Sequence, residues 1–331
     1  MPTYTSASQW KPIAFDKTIG GQNIPWNSAK YELRNKCIRF KGGAGILNKQ
    51  KDTIGEEILE EIWIVAEPNV IDAKLQGTNP SAPYYDPQQP SYDPNWGKRG
   101  YGKKRSRARR LQISNVYSEH GDYETDMGDT EVEDFFVHGC GAQAFQFRPE
   151  AQTLPSSVGV NNNPVGVCRL KKGLCLNNGR KGGIGRAGYM LTFFFFEEND
   201  GSQVMCNRSV EIEDVSVIHD GGQDLDGKGH ESLGGIKVLK RPTVLLRDVL
   251  IRLKAPMYDG VFVRDAQKFT ADGLDSAHNV CLADCRKVEI VNSKGAGLIQ
   301  LGTMEHTSGG DRWKLLKTVG DLSKGYVGPG V

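Results

Sequence analysis

Asp224 and Asp226 stand two residues apart in the stretch His219-Asp220-Gly221-Gly222-Gln223-Asp224-Leu225-Asp226-Gly227-Lys228-Gly229-His230-Glu231. In an extended segment alternate side chains share one side, so these two carboxylates face the same way, and Lys228 and His230 continue that side. Carboxylates paired like this suit a hard cation, and Asp220, Asp224 and Asp226 are the expected ligands of a calcium ion. They equally suit proton transfer, as the acid and the base or nucleophile of glycoside hydrolysis, with their separation setting the stereochemistry. On a uronate polymer, bound calcium would neutralise the substrate carboxylate while Lys228 removed the adjacent carbon-bound proton. Beside these catalytic roles for Asp224, Asp226, Lys228 and His230 stand two plainer readings: a solvated Gly/Asp-rich turn between strands, and a purely structural calcium site.

A second constellation is basic. Lys98, Arg99, Lys103, Lys104, Arg105, Arg107, Arg109 and Arg110 fall within the thirteen residues 98–110, interleaved with Gly100, Tyr101 and Gly102. Such a segment binds polyanions, with a steep loss of affinity in salt. An acidic polysaccharide, a nucleic acid or the acidic face of a neighbouring subunit would each serve. The whole chain carries 42 Lys+Arg against 40 Asp+Glu, a formal charge of +2, so no long-range field draws it to nucleic acid, which is the lesser expectation. The acidic run Asp122, Glu124, Asp126, Asp129, Glu131, Glu133 and Asp134 is a candidate partner within the chain or between subunits of a homo-oligomer or larger assembly. Residues 179–186 are Gly-rich but lack the Gly-Lys-Ser/Thr ending and following helix of a phosphate loop.

The elements that position these residues read as thin strands. Forty Gly residues against 38% hydrophobic content point to many turns rather than a large helical core. Strict alternation in Val210-Glu211-Ile212-Glu213-Asp214-Val215-Ser216-Val217 recurs over 244–251 and 287–292. Each is followed by a second short strand, at Gly235-Ile236-Lys237-Val238, Gly260-Val261-Phe262-Val263, Asn279-Val280-Cys281-Leu282 and Gly297-Leu298-Ile299-Gln300. The spacing suits one coil each of a repeat protein, in which no coil buries its apolar face alone. The same cadence appears at 37–47, 111–116 and 132–147, which extends the coils over most of the chain. The expected organisation is an N-terminal segment and cap over 1–33, coils over 34–302 with an inserted loop at 76–110, and a C-terminal cap or tail over 303–331, where Trp313, Leu315 and Leu316 close the open end. Residues 56–64 fit a helical turn and a strand equally. Seven cysteines without CxxC spacing read as small buried hydrophobes. The longest apolar run, 189–196, falls far short of the roughly 20 residues of a membrane helix, so no membrane insertion is expected. Met1-Pro2-Thr3-Tyr4-Thr5-Ser6 shows no secretory pattern, leaving an intracellular chain, a virion component or a trimmed secreted one.

The stretch 244–301 resembles the pectate-lyase-like superfamily of right-handed parallel β-helices, which includes pectate lyases, polygalacturonases and phage tailspikes. The resemblance is carried by Leu245-Leu246-Arg247-Asp248-Val249-Leu250-Ile251, Asp259-Gly260-Val261-Phe262-Val263, Ala271-Asp272-Gly273-Leu274-Asp275 and Lys294-Gly295-Ala296-Gly297-Leu298. Ala271-Asp272-Gly273-Leu274-Asp275 looks like the Asn-Thr-Asp-Gly element of polygalacturonases. The Asp-Asp and Arg-Ile-Lys elements of that family, and the Trp-Ile-Asp-His and Arg-Pro-Arg elements of pectate lyases, are not present, so no catalytic set transfers. The resemblance implies an all-β right-handed parallel β-helix that binds, and in the enzymes cleaves, an acidic polysaccharide in an extracellular or virion setting. The alternative is a non-catalytic structural or adhesion component of a phage, virus or extracellular assembly.

Overall fold

The alternation slips at the same place in each long strand of one sheet. Ile212-Glu213-Asp214-Val215, Leu246-Arg247-Asp248-Val249 and Val132-Glu133-Asp134-Phe135 set two polar residues side by side where alternation allows one. In the computed structural model, the second residue of each pair is left-handed, with φ of +56° at Asp134, +55° at Asp214 and +49° at Asp248. That single residue bends the strand and resets which side chains point inward. Val210 and Ile212 before the bend and Val215 and Val217 after it are therefore all fully buried. Asn, Asp and Gly reach this backbone region most readily, and Asn35, Gly273 and Asn292 also occupy it. Glu61, Arg110 and Lys172 do so against a preference of about 1 kcal/mol each, which the burial of the neighbouring apolar residues must outweigh.

The structure describes residues 1–24, 29–40, 43–48, 55–66, 95–100, 105–114, 116, 121–125, 129–139, 143–147, 166–178, 189–193, 196–197, 203–220, 234–254, 259–307 and 310–331. Among these the protein is all-β, and the chain alternates between two sheets. The first is ordered Lys17–Ile19, Lys30–Phe40, Glu56–Ala66, Arg105–Ser114, Asp129–His138, Gly166–Leu176, Arg208–His219, Thr243–Leu253, Lys268–Asp272, Lys287–Val291 and Tyr326–Pro329. The second is ordered Gln22–Asn23, Gly43–Asn48, Asn95–Gly100, Gly121–Thr125, Gln143–Phe147, Tyr189–Phe193, Gly234–Leu239, Val261–Arg264, Val280–Ala283, Leu298–Thr307 and Gly310–Asp321. Order in space follows order in sequence, so successive passes of the chain add a strand to each sheet; Asp275–Ser276 pairs additionally with Thr243–Leu253, and the last two strands of the second sheet are consecutive in the chain. Pairing within both sheets is parallel until the last strand of each, which is antiparallel. The edges are thus a three-residue and a two-residue strand at one end and reversed strands at the other, arrangements that discourage edge-to-edge association.

Several expectations are refined. Val210–Val217 and Val244–Ile251 are direct parallel neighbours, but Lys268–Asp272 intervenes before Lys287–Val291. Residues 56–64 are strand. Of the expected loop 76–110, Asn95–Gly100 and Arg105–Arg110 are strand, and 76–94 lie outside the described residues. The sheets begin at Lys17, before position 34, and the strand Leu298–Thr307 runs through position 302. Leu315 and Leu316 are 50% and 42% exposed on Gly310–Asp321, the last strand of the second sheet.

Inward side chains of both sheets form one apolar cluster reaching from Ile24 to Leu322. Its second-sheet column passes through Phe145, Leu191, Ile236, Val261, Val280 and Ile299, each paired in register with the next. Residues 1–16 lie across the outside of the first sheet. The Thr3 hydroxyl donates to Asp214 (2.6 Å), the Tyr4 hydroxyl to Asp134 (2.5 Å) and Trp10 Nε1 to Gln112 (3.0 Å). Asp16 donates its N–H to the Asn35 carbonyl (3.0 Å). Burial, reinforced by the Asp134 carboxylate, raises the Tyr4 hydroxyl well above its usual range, so it stays a donor. Tyr4, Trp10 and Ile13 form a second, smaller apolar cluster with Phe136 and Leu174. One segment thereby ties together strands from Lys30–Phe40 to Arg208–His219.

The parallel register is testable by cross-linking. Ser209 and Thr243 precede the paired residues Val210 and Val244, and their hydroxyl oxygens lie 2.6 Å apart. Ser209→Cys with Thr243→Cys should form a disulfide on mild oxidation, because register neighbours meet the Cα separation a disulfide needs. Ser209→Cys with Lys268→Cys, one strand further on, should not, and the reverse pattern in peptide mapping would refute the register.

Candidate functional site

The basic residues fall on two faces. Lys98 points into the core, fully buried, with its Nζ 3.4 Å from Oε1 of the equally buried Glu57 and 4.9 Å from the Tyr123 ring centroid. It is therefore out of reach of any polyanion, a correction to its place in the basic segment. Its backbone explains the position: Lys98 pairs with Ile46 on one side and Tyr123 on the other, in a column of inward residues. The carboxylate of Glu57 and burial push Tyr31 up to about 12, burial being the larger effect. Of Arg99 only the backbone is described, paired with Leu47. Lys103 and Lys104 lie outside the described residues.

Arg105, Arg107, Arg109 and Arg110 belong to a strand set between two acidic ones. Arg109 is in register with Glu60 on one side and Glu133 on the other. Arg107 lies 3.8 Å from Glu56, and Arg110 lies 3.3 Å from Glu61 and 3.5 Å from Asp134. The alternation continues: Arg169 bridges Glu131 (3.4 Å) and Glu211 (2.7 Å), Lys172 meets Asp134 (3.4 Å) and Arg247 meets Glu213 (3.4 Å). Each exposed pair contributes at most about 1 kcal/mol. Together they favour unlike neighbours across strands and disfavour like ones. Of the acidic run, Asp134 and Glu131 thus pair with Arg110 and Arg169 within one chain, while Asp129 and Glu133 lie in register with Arg105 and Arg109.

Asp220 is exposed at the end of Arg208–His219, where its N–H donates to Asn177 Oδ1 (3.0 Å). Asp224, Asp226, Lys228 and His230 lie outside the described residues. Among the described residues, no group of three His, Cys, Asp or Glu side chains is arranged to hold a metal. All six described cysteines are buried.

The outer face of the second sheet carries residues that the sequence reading treated only as strand. Lys237 and Phe262 are register neighbours, as are Phe262 and Cys281, and Cys281 and Gln300. Lys237 Nζ lies 5.8 Å from the Tyr189 ring and 6.0 Å from the Phe262 ring, distances at which ring faces attract a cation. Phe262 meets Trp313 edge to face, with centroids 6.1 Å apart. Trp313 lies over Gly302, where a Cβ would meet the Leu315 carbonyl oxygen first and come within 2.7 Å of the indole, so that position must be glycine for the paired strand and the ring to settle. Asp259 borders the strip, its carboxyl raised by burial. The result is two partly exposed rings, Phe262 and Trp313, with Lys237 held between Phe262 and the nearly buried Tyr189 ring, a surface suited to a ligand that is apolar on one face and anionic at an edge. The signal was present in the sequence: once Ile236 and Val261 point inward, Lys237 and Phe262 must point out.

The Glu57–Lys98 pair sets a prediction. Lys98→Met should cost about 3–5 kcal/mol in denaturant unfolding, because it strands a buried carboxylate, whereas Lys98→Met with Glu57→Gln should recover most of that. Equal losses in the single and double variants would contradict a paired, charged interior. No protein-family model, no curated protein and no solved structure matches this chain.

Proposed function

We propose that the two sheets are walls of a right-handed parallel β-helix of the pectate-lyase-like kind, and that the outer face of the second sheet binds an acidic polysaccharide. Parallel strands joined by crossovers in one sheet are right-handed in nearly all known cases, which supports that hand for a chain that returns through a second sheet after every strand. The observation that carries the binding reading is Lys237 set between the rings of Tyr189 and Phe262, with Trp313 extending the row. A pyranose ring offers an apolar face to such aromatic surfaces, and a uronate offers a carboxylate to the lysine. Residues 221–233, which hold Asp224, Asp226, Lys228 and His230, lead directly into Gly234–Leu239, the strand of Lys237. Cleavage by these residues, with calcium held by Asp220, Asp224 and Asp226, is the catalytic form of the proposal.

A second reading, a non-catalytic structural or adhesion body, is favoured by the strand-to-strand charge pairing and the strap of residues 1–16, both of which stiffen the molecule without addressing a ligand.

Titrating the full chain with polygalacturonate, and with dextran as a neutral control, separates these. Binding to the uronate alone is expected, weakened about tenfold or more by Lys237→Ala and by Trp313→Ala with little change in melting temperature, and weakened by salt. Unsaturated or reducing-end product that Asp224→Asn abolishes without loss of binding supports the catalytic form; binding without product supports the body alone. No uronate binding by the wild-type chain overturns the proposal.

A further inference from the structure

The largest fully buried side chain in the described residues is a charged one, Arg241, which is 0% exposed. It follows Lys240, a left-handed residue at the corner after Gly234–Leu239, and points inward. Arg208, 3% exposed, points inward at the start of the neighbouring first-sheet strand. Arg241 Nη1 lies 3.3 Å from the Arg208 carbonyl and 3.8 Å from Cys168 Sγ, and Nη2 lies 3.5 Å from the Phe147 carbonyl. The Nε atoms of both arginines are buried without a hydrogen-bond partner, and neither guanidinium forms an ion pair among the described residues. Arg241 thus lies against both the Arg208 backbone and Cys168, and the positive charge of each arginine acts to lower the Cys168 thiol. Burial is the larger influence on that thiol and raises it, so Cys168 stays neutral and supplies no counter-charge.

Guanidinium stays protonated in proteins, and a buried charge without a counter-charge costs several kcal/mol. Two such charges beside one another also repel. Carbonyl oxygens solvate Arg241 but bring no negative charge. We propose that Arg208 and Arg241 form an internal site for one small inorganic anion of chloride size, held by the two free Nε–H groups beside Cys168. The near-complete burial of both side chains selects a small ion over a larger oxyanion or organic acid. The anion is a structural cofactor of the middle coils, independent of the polysaccharide-binding face.

The test is thermal unfolding of the full chain at constant ionic strength, exchanging a bulky organic sulfonate for chloride. The midpoint should rise by roughly 2–4 °C per tenfold increase in chloride once the site begins to fill, as expected for a ligand bound only by the folded state. Arg208→Met, at the start of its strand, should abolish or sharply reduce that response, as should Arg241→Met where it folds. Bromide-soaked wild-type crystals should show an anomalous peak in contact with both guanidiniums, a readout that needs no variant. A wild-type midpoint indifferent to chloride at fixed ionic strength, a response unchanged in Arg208→Met, or bromide found only at the surface would overturn the proposal.

Discussion

No single pass of this chain can bury its own apolar residues. Each contributes a few inward side chains from a first-sheet strand and a few from a second-sheet strand, and their neighbours above and below must cover them. The interior from Ile24 to Leu322 is accordingly one cluster, shared by strands far apart in sequence. Polar groups on that axis are therefore conspicuous. Glu57 and Lys98 meet there and compensate one another, whereas the buried Arg208 and Arg241 call for a compensating charge.

A thin core leaves register to be specified from outside as well as inside. A one-residue slip would turn every inward side chain outward, so the apolar columns already resist it. The left-handed residue in each long strand adds a second lock, because Asn35, Glu61, Arg110, Asp134, Lys172, Asp214 and Asp248 lie along one corner between flanking register pairs. Charge alternating in sign from strand to strand adds a third. The segment 1–16 reads this corner directly, meeting Asp214, Asp134 and Arg110 with Thr3, Tyr4 and Trp10. Strands that would otherwise interact only with their neighbours in the sheet are joined at distance by that strap.

Parallel strands, their pairing with a second set and the apolar columns were legible in the alternation of 210–217 and 244–251. The strand Lys268–Asp272 escaped notice because Lys-Phe-Thr-Ala-Asp holds only two apolar residues, of which Ala271 gives little signal. The basic run was legible as charge but not as structure. Arg105-Ser106-Arg107-Ala108-Arg109 alternates as strictly as Val-Glu-Ile-Glu, yet small inward residues such as Ser106 and Ala108 hide the period. Lys98 was unreadable for a different reason: nothing local shows that its carboxylate, Glu57, waits on the facing sheet. The aromatic strip was missed because Lys237 and Phe262 are outward residues of strands read for their inward side, Tyr189 stood in an apolar run and Trp313 in the expected cap, and the register that brings the four together is a tertiary property.

The functional account turns on which face meets ligand. The most direct measurement is a crystal structure of the full chain with a short galacturonate oligomer. The account requires sugar rings lying over Phe262 and Trp313 on the second sheet, with a uronate carboxylate within hydrogen-bond distance of Lys237 Nζ. An oligomer bound instead along Arg105, Arg107 and Arg109 on the first sheet would contradict it, and would show that the alternating charges serve ligand rather than register.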